Sequence, residues 1–200
     1  MPEVLGGHAI HGLVYDRPWT VIGEAALSIC FDERWPFGGS AQQSFELTPS
    51  SLTIRIAITN DERPMPAVAG FHPWFRRVAF GRDAHLTFNA SRRYRRDASG
   101  IPTRLTTDLG SRPWDDSFVG VRTPPFLRWG DALEFVIDSQ AEHWIVCETD
   151  RRAICVEPLS GPVNGLGLAT CKIAGPNEPL EHVMRLRWGT PSPRVPGTTP

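Results

Sequence analysis

Six residues with the means to do chemistry sit beside turns in this chain: His11, His72, Trp74, the adjacent pair Asp115 and Asp116, and Glu157. His72 lies in Ala69-Gly70-Phe71-His72-Pro73-Trp74-Phe75, one imidazole between glycine, proline and three aromatic rings. A group that titrates near neutrality beside aromatic faces suits a ligand with apolar C–H faces and exchangeable protons, a description that sugars fit. Taken alone, the heptapeptide favours a plainer reading, a satisfied loop or core histidine beside a proline turn. A second signal has to decide.

Glu157 is that signal. It closes the apolar run Ile154-Cys155-Val156 and is followed by Pro158-Leu159-Ser160-Gly161-Pro162. A carboxylate at the end of an apolar strand, held by a proline-rich turn, is partly desolvated and fixed in place, which makes a positioned base. The competing reading is a strand-end carboxylate paired to one of the many arginines. A histidine acid with a glutamate base points to proton transfer without a covalent intermediate. Reference pKa values of ~6.5 and ~4.3 leave the first protonated and the second ionised near neutral pH with modest tuning.

Metal chemistry is not expected. His8 and His11 are three apart, but no third and fourth ligand follow at zinc-site spacing. Cys30, Cys147, Cys155 and Cys171 lack a CxxC spacing and read as buried thiols. Cys147 and Cys155 are placed to face each other on neighbouring strands, and in a reducing compartment they stay thiols.

The elements that must position these residues have a period of two. Leu52, Ile54, Ile56 and Ile58 face one way and Thr53, Arg55, Ala57 and Thr59 the other, a half-buried antiparallel strand over 51–60, preceded by a strand over 43–48 and the turn Pro49-Ser50. Further strands are predicted over 26–31, 84–89, 133–138, 144–148, 153–157, 168–173 and 184–188. The run Arg92 to Gly100 reads as a basic connecting loop. Residues 6–13 read as a glycine-rich loop with no strand or helix before them. With no amphipathic helix, 19 prolines and 18 glycines, the expected class is all-β, a sandwich or barrel. One domain spans 1–188, and the Pro/Thr/Ser/Gly-rich residues 189–200 read as a frayed tail.

Composition narrows the function further. The 200 residues are enough for one core that buries about 70% of the unfolded surface. Charge is balanced at 21 basic against 22 acidic residues, which argues against a nucleic-acid or membrane-surface partner. Lys172 is the one lysine among the basic residues. No long apolar run or secretory leader is visible, so the expected compartment is the cytoplasm.

Four stretches in order carry a resemblance: His11-Gly12-Leu13-Val14-Tyr15-Asp16-Arg17-Pro18-Trp19, then Gly70-Phe71-His72-Pro73-Trp74-Phe75, Trp114-Asp115-Asp116-Ser117-Phe118, and Cys155-Val156-Glu157-Pro158-Leu159-Ser160-Gly161-Pro162-Val163-Asn164. Together they resemble the aldose 1-epimerase (galactose mutarotase) family. The resemblance implies a galactose-mutarotase-like β-supersandwich that exchanges the α and β anomers of a free aldohexose without metal or organic cofactor. By motif position, Glu157 is the base on the C1 hydroxyl, His72 the acid on the ring oxygen, Asp115 an acceptor for sugar hydroxyls, and His11 a second sugar-binding histidine. Trp74 as a stacking platform comes from aromatic chemistry, not from the motif. Family members carry further strands before the first stretch, including an Asn-Arg pair whose arginine holds the sugar. The expectation is therefore an N-terminally shortened member with an exposed sheet edge.

Three other readings stand beside this one. A sugar-binding module could keep the cleft without catalysis. A hexose-6-phosphate epimerase relative would use Arg76, Arg77, Arg92, Arg93, Arg95 and Arg96 on the phosphate. A glycosidase would pair Asp115 with Glu157 and needs their carboxyl groups about 5–10 Å apart.

Overall fold

The computed structural model describes residues 3–5 and 8–191, and these contain strands and turns with no helix. In chain order the strands are β1 (Glu3–Leu5), β2 (His8–Ile10), β3 (Thr20–Gly23), β4 (Ala26–Cys30), β5 (Ser40–Thr48), β6 (Ser51–Thr59), β7 (Met65–Ala67), β8 (Trp74–Arg76), β9 (Val78–Ala79) and β10 (Arg82–Thr87). They continue as β11 (Arg92–Arg96), β12 (Pro102–Thr107), β13 (Asp115–Val119), β14 (Phe126–Trp129), β15 (Leu133–Asp138), β16 (His143–Cys147), β17 (Ala153–Leu159), β18 (Lys172–Ala174) and β19 (Leu180–Gly189).

A nine-stranded sheet in the order β3-β4-β5-β6-β19-β15-β14-β10-β9 and a six-stranded sheet in the order β12-β11-β13-β16-β17-β8 make up the body; β1-β2 and β18-β7 pair separately. The long β5–β6 ladder follows from the alternating sequence: its register runs from Thr48↔Ser51 to Ser40↔Thr59, and Ile56 and Ile58 are buried. The inner faces of the two sheets meet around one apolar core. Phe118, Val146 and Val156 from the small sheet and Leu127 and Ile137 from the large one are fully buried. Rings tie the layers together: Phe75 of β8 lies 5.9 Å from Phe135 of β15, and the Trp129 indole N–H donates to the Arg76 carbonyl at 3.0 Å. Fully burying each such side chain contributes roughly 1.5–3 kcal/mol, so the sheets are held together mainly by this core.

The all-β expectation holds, and the strand over 133–138 matches β15 residue for residue. Three local expectations need correction. The arginine run is not a loop: Arg92–Arg96 is β11, paired on both sides by β12 and β13. The charges there suit a strand near a sheet edge, where exposed arginines discourage pairing with other chains. The strand expected over 168–173 begins only at Lys172, because the Leu168 amide donates to the Asn164 carbonyl and closes a turn. At the N-terminus, Glu3–Leu5 does form a strand, paired with His8–Ile10. Short strands of this kind have too few residues to show a period.

The edge strand β3 is exposed along its length, with Val21 73% and Ile22 50% accessible. Gly189 closes β19, while residues 192–200 of the expected tail lie outside the described residues. Among the described residues no helix is long and apolar enough to cross a membrane.

Candidate active site

β17 supplies two of the site's groups because of its period. Residues two apart on a strand project from the same face, and so do directly opposed residues of an antiparallel ladder. Cys155 and Glu157 therefore share a face, and the register Asp115↔Cys147, Cys147↔Cys155, Cys155↔Trp74 adds Asp115 and Trp74 to it. Ile154, Val156 and Phe118 point the other way into the core. Both faces of β17 are covered, which is why its burial is nearly continuous and Glu157 is buried.

His72 arrives from the loop between β7 and β8, which is stitched to the end of β17. The Phe71 amide donates to the Pro158 carbonyl at 3.2 Å, the Ser160 amide to the Ala69 carbonyl at 2.8 Å, and the Ala69 amide to Ser160 Oγ at 2.8 Å. Gly70 permits this close approach, since a Cβ there would lie 2.3 Å from Leu159 Cδ2. Buried Phe71 stacks on His182, whose Nε2 lies 3.0 Å from the Pro158 carbonyl oxygen. These contacts fix the loop, and the imidazole of His72 is set over β17.

The outcome is a close triad of polar groups. His72 Nε2 lies 3.3 Å from Glu157 Oε1, His72 Nδ1 lies 3.1 Å from Cys155 Sγ, and the Cys155 thiol donates to Glu157 Oε1 at 3.3 Å. Trp74, about half exposed, stacks on His72 with 5.6 Å between ring centroids. His11 approaches His72 edge-on at 5.0 Å, and its own backbone is left-handed (φ 62°). The rest of the first motif pins the loop that carries His11. Arg34 bonds Asp32 and the Leu13 carbonyl, Arg17 pairs with Asp32, and the Trp19 indole donates to the Val14 carbonyl.

Burial pushes the Glu157 carboxyl up to about 7, aided by the nearby charge of Asp115 and opposed by the Cys155 thiol. The same desolvation, with the charge of His11, lowers His72 from its usual range. The order of the two proton affinities is thereby reversed from that of the free side chains and from the sequence expectation: Glu157 holds a single shared proton more tightly than His72. Desolvation also drives the Cys155 thiol far upward, so it stays protonated.

Of the sequence-chosen residues, His72, Glu157, His11 and Trp74 converge, and Asp115 stands on the same sheet face, exposed. Asp116 faces the other way and is held by Arg93 at 2.8 Å and Arg96 at 3.2 Å. Cys155 is the residue sequence reasoning left out. Its place in the CVEP stretch, two before Glu157, was the available signal, since period two puts it beside that carboxylate. A groove of about 640 Å³ lined by Arg55, Lys172, Glu181 and His182 involves none of the converging residues. Convergence of acid, base and aromatic face marks the site better than volume does.

The all-β two-sheet body is a galactose-mutarotase-like fold. The chain belongs to the aldose 1-epimerase family, whose sequence profile matches residues 2–156. Its fold is similar to that of a galactose mutarotase-like protein from Clostridium acetobutylicum (TM-score 0.75, 14% identity, 92% of this chain and 70% of that one). It is also similar to an aldose epimerase homologue from C. elegans (TM-score 0.71, 12% identity, 87% and 69%) and to a Synechocystis protein (TM-score 0.70, 23% identity, 90% and 69%). Comparison with curated protein sequences finds no match.

Proposed function

We propose that the chain is an aldose 1-epimerase-like isomerase that interconverts the α and β anomers of an aldohexose, with Glu157 as base and His72 as acid. The observation that carries this reading is the 3.3 Å separation of His72 Nε2 and Glu157 Oε1. The anomeric hydroxyl and the ring oxygen are bonded to the same carbon, C1. Acid and base must therefore reach two neighbouring oxygens, which an adjacent pair can do.

In the forward step the Glu157 carboxylate takes the O1 proton, the C1–O1 bond becomes a carbonyl, the C1–O5 bond breaks, and His72 gives its proton to O5. The aldehyde turns about C1–C2. O5 then attacks the other face of C1, Glu157 returns a proton to O1, and His72 takes the O5 proton. The pair begins and ends with one proton, so nothing else need enter or leave. With Glu157 raised to about 7 and His72 lowered, the shared proton rests mainly on Glu157, so the reactive arrangement, Glu157 ionised and His72 protonated, is the less populated one and forms by moving that proton across the 3.3 Å contact. Trp74 offers a face for the sugar's C–H surface, and His11 and Asp115 are placed to bond its hydroxyls. No metal or organic cofactor enters these steps.

Two other readings receive less support. The partner that Glu157 meets at 3.3 Å is His72 and not Asp115, whereas glycoside hydrolysis uses two carboxyl groups flanking the bond. Four of the six arginines named for a sugar phosphate are already engaged: Arg77 with the Glu148 and Asp150 carbonyls, Arg92 with Asp108, and Arg93 and Arg96 with Asp116. A non-catalytic sugar-binding module is separated by turnover. Polarimetry on freshly dissolved α-glucose and α-galactose is the test: accelerated approach to the equilibrium rotation supports the isomerase, and binding by calorimetry without acceleration supports the module.

A further inference from the structure

The same three side chains have a second chemical capacity. His72, Cys155 and Glu157 offer an imidazole nitrogen, a sulfur and a carboxylate oxygen, all within 4.8 Å of one another. Sγ is 3.1 Å from His72 Nδ1 and 3.3 Å from Glu157 Oε1. A tetrahedral zinc ion with bonds of about 2.3 Å to sulfur and about 2.1 Å to nitrogen and oxygen places its ligand atoms about 3.4–3.6 Å apart. The two sulfur edges, Sγ to Nδ1 and Sγ to Oε1, are within about 0.5 Å of those of that tetrahedron, and the three donors as a set lie within 4.8 Å. Two of the donors come from one rigid strand at a two-residue spacing, and the third comes from a loop fixed to that strand's end. Ligands gathered this way leave no CxxC-type spacing to find in the sequence.

We infer that His72, Cys155 and Glu157 form an inhibitory site for a thiophilic divalent cation, Zn²⁺ being the best match, which occupies the acid/base pair in competition with the sugar. Three protein ligands leave a fourth position for water, as in open zinc sites. The donor set selects Zn²⁺, Co²⁺ or Cd²⁺ over Mg²⁺ and Ca²⁺, because a thiolate and an imidazole are poor ligands for hard cations. On binding, the Cys155 thiol proton is released to solvent as the sulfur–metal bond forms, and His72 and Glu157 coordinate in their proton-free forms. The cation here is an inhibitor; the isomerase steps above do not use it.

The test is a Co²⁺ titration of the purified full chain followed by absorbance, which needs no turnover and so stands or falls separately from the sugar chemistry. The expected result is a sulfur-to-cobalt charge-transfer band in the near ultraviolet with intense tetrahedral d–d bands. Added Zn²⁺ should abolish both, and excess Mg²⁺ should leave them unchanged. Cys155→Ala removes the charge-transfer band. His72→Asn, at a partly exposed side chain, weakens binding by roughly tenfold or more, the order expected for losing metal-site contacts. Cys147→Ala, on the neighbouring strand, leaves the spectrum as it was. Absence of the band in the unmodified chain, or its survival in Cys155→Ala, overturns the inference.

Discussion

His72 Nε2 and Glu157 Oε1 stand 3.3 Å apart although one belongs to a loop after β7 and the other to β17, the strand next to the edge of the six-stranded sheet. The contact is produced by two backbone bonds and one bond to the Ser160 hydroxyl between residues 69–71 and 158–160, not by any local sequence signal.

The competent pair holds one proton, so rate falls when a second is added or the last is lost. With Glu157 raised to about 7 and His72 lowered from 6.5, kcat/KM should be bell-shaped and narrow, its alkaline limb near pH 7 and its acid limb below the usual histidine range. Initial mutarotation rates across neutral pH check this, and a flat profile counts against the pair.

Cys155 tunes that profile without touching the substrate. Its thiol donates to Glu157 and favours the ionised carboxylate. Removing the donor in Cys155→Ala leaves Glu157 still harder to ionise, so the alkaline limb should move to higher pH, with kcat reduced by about tenfold or less. Cys155→Ser, which restores a donor, should bring the limb back toward its original position. A loss of kcat with no movement of the limb would assign Cys155 a packing role only.

Glu157 also burdens stability. Its carboxyl is raised from 4.5 to about 7 on folding, so between these values the folded state binds more protons and stability falls as pH rises. The loss is on the order of 3 kcal/mol once the pH is above 7. Glu157→Gln should therefore slow mutarotation by roughly 10²–10⁴-fold yet raise unfolding free energy at about pH 8 by roughly 1–3 kcal/mol, with little gain at about pH 4. Urea denaturation at the two pH values measures it.

The legibility of the site differed from that of the fold. Strong alternation made the β5–β6 hairpin and β15 readable, because nine- and six-residue strands show their period. β11 was missed because five residues with four arginines carry no apolar alternation, and the partners on both sides that make them a strand are distant in sequence. His72, Glu157, His11 and Asp115 were found through motif order. The triad with Cys155 was not, since it depends on which face of β17 meets the loop. The question of Asp115 against Asp116 is likewise answered by strand parity: adjacent residues face opposite ways, and Arg93 and Arg96 hold Asp116.

That parity predicts different phenotypes for neighbours. Asp115→Asn should raise KM for the sugar by about tenfold or more with kcat and stability nearly kept. Asp116→Asn should lower stability by about 1 kcal/mol through its lost pairing with Arg93 and Arg96 and leave KM near normal. Equal effects on KM would remove the distinction.

Gly70 tests the stitching of the loop. Gly70→Ala drives a Cβ against Leu159 Cδ2, so the His72 loop must lift or the leucine must turn aside. Lower kcat at near-native stability is expected, with recovery in the double variant Gly70→Ala, Leu159→Ala.

The central claim is that His72 and Glu157 together open and close the sugar ring. Its most direct test is the first-order rate constant for mutarotation of fresh α-galactose and α-glucose by the unmodified chain, beside His72→Asn and Glu157→Gln. The account predicts acceleration by the unmodified chain and a loss of roughly 10²–10⁴-fold in each variant, in keeping with the contribution of a positioned acid or base. Full activity in either variant, or no acceleration by a folded unmodified chain, would contradict it.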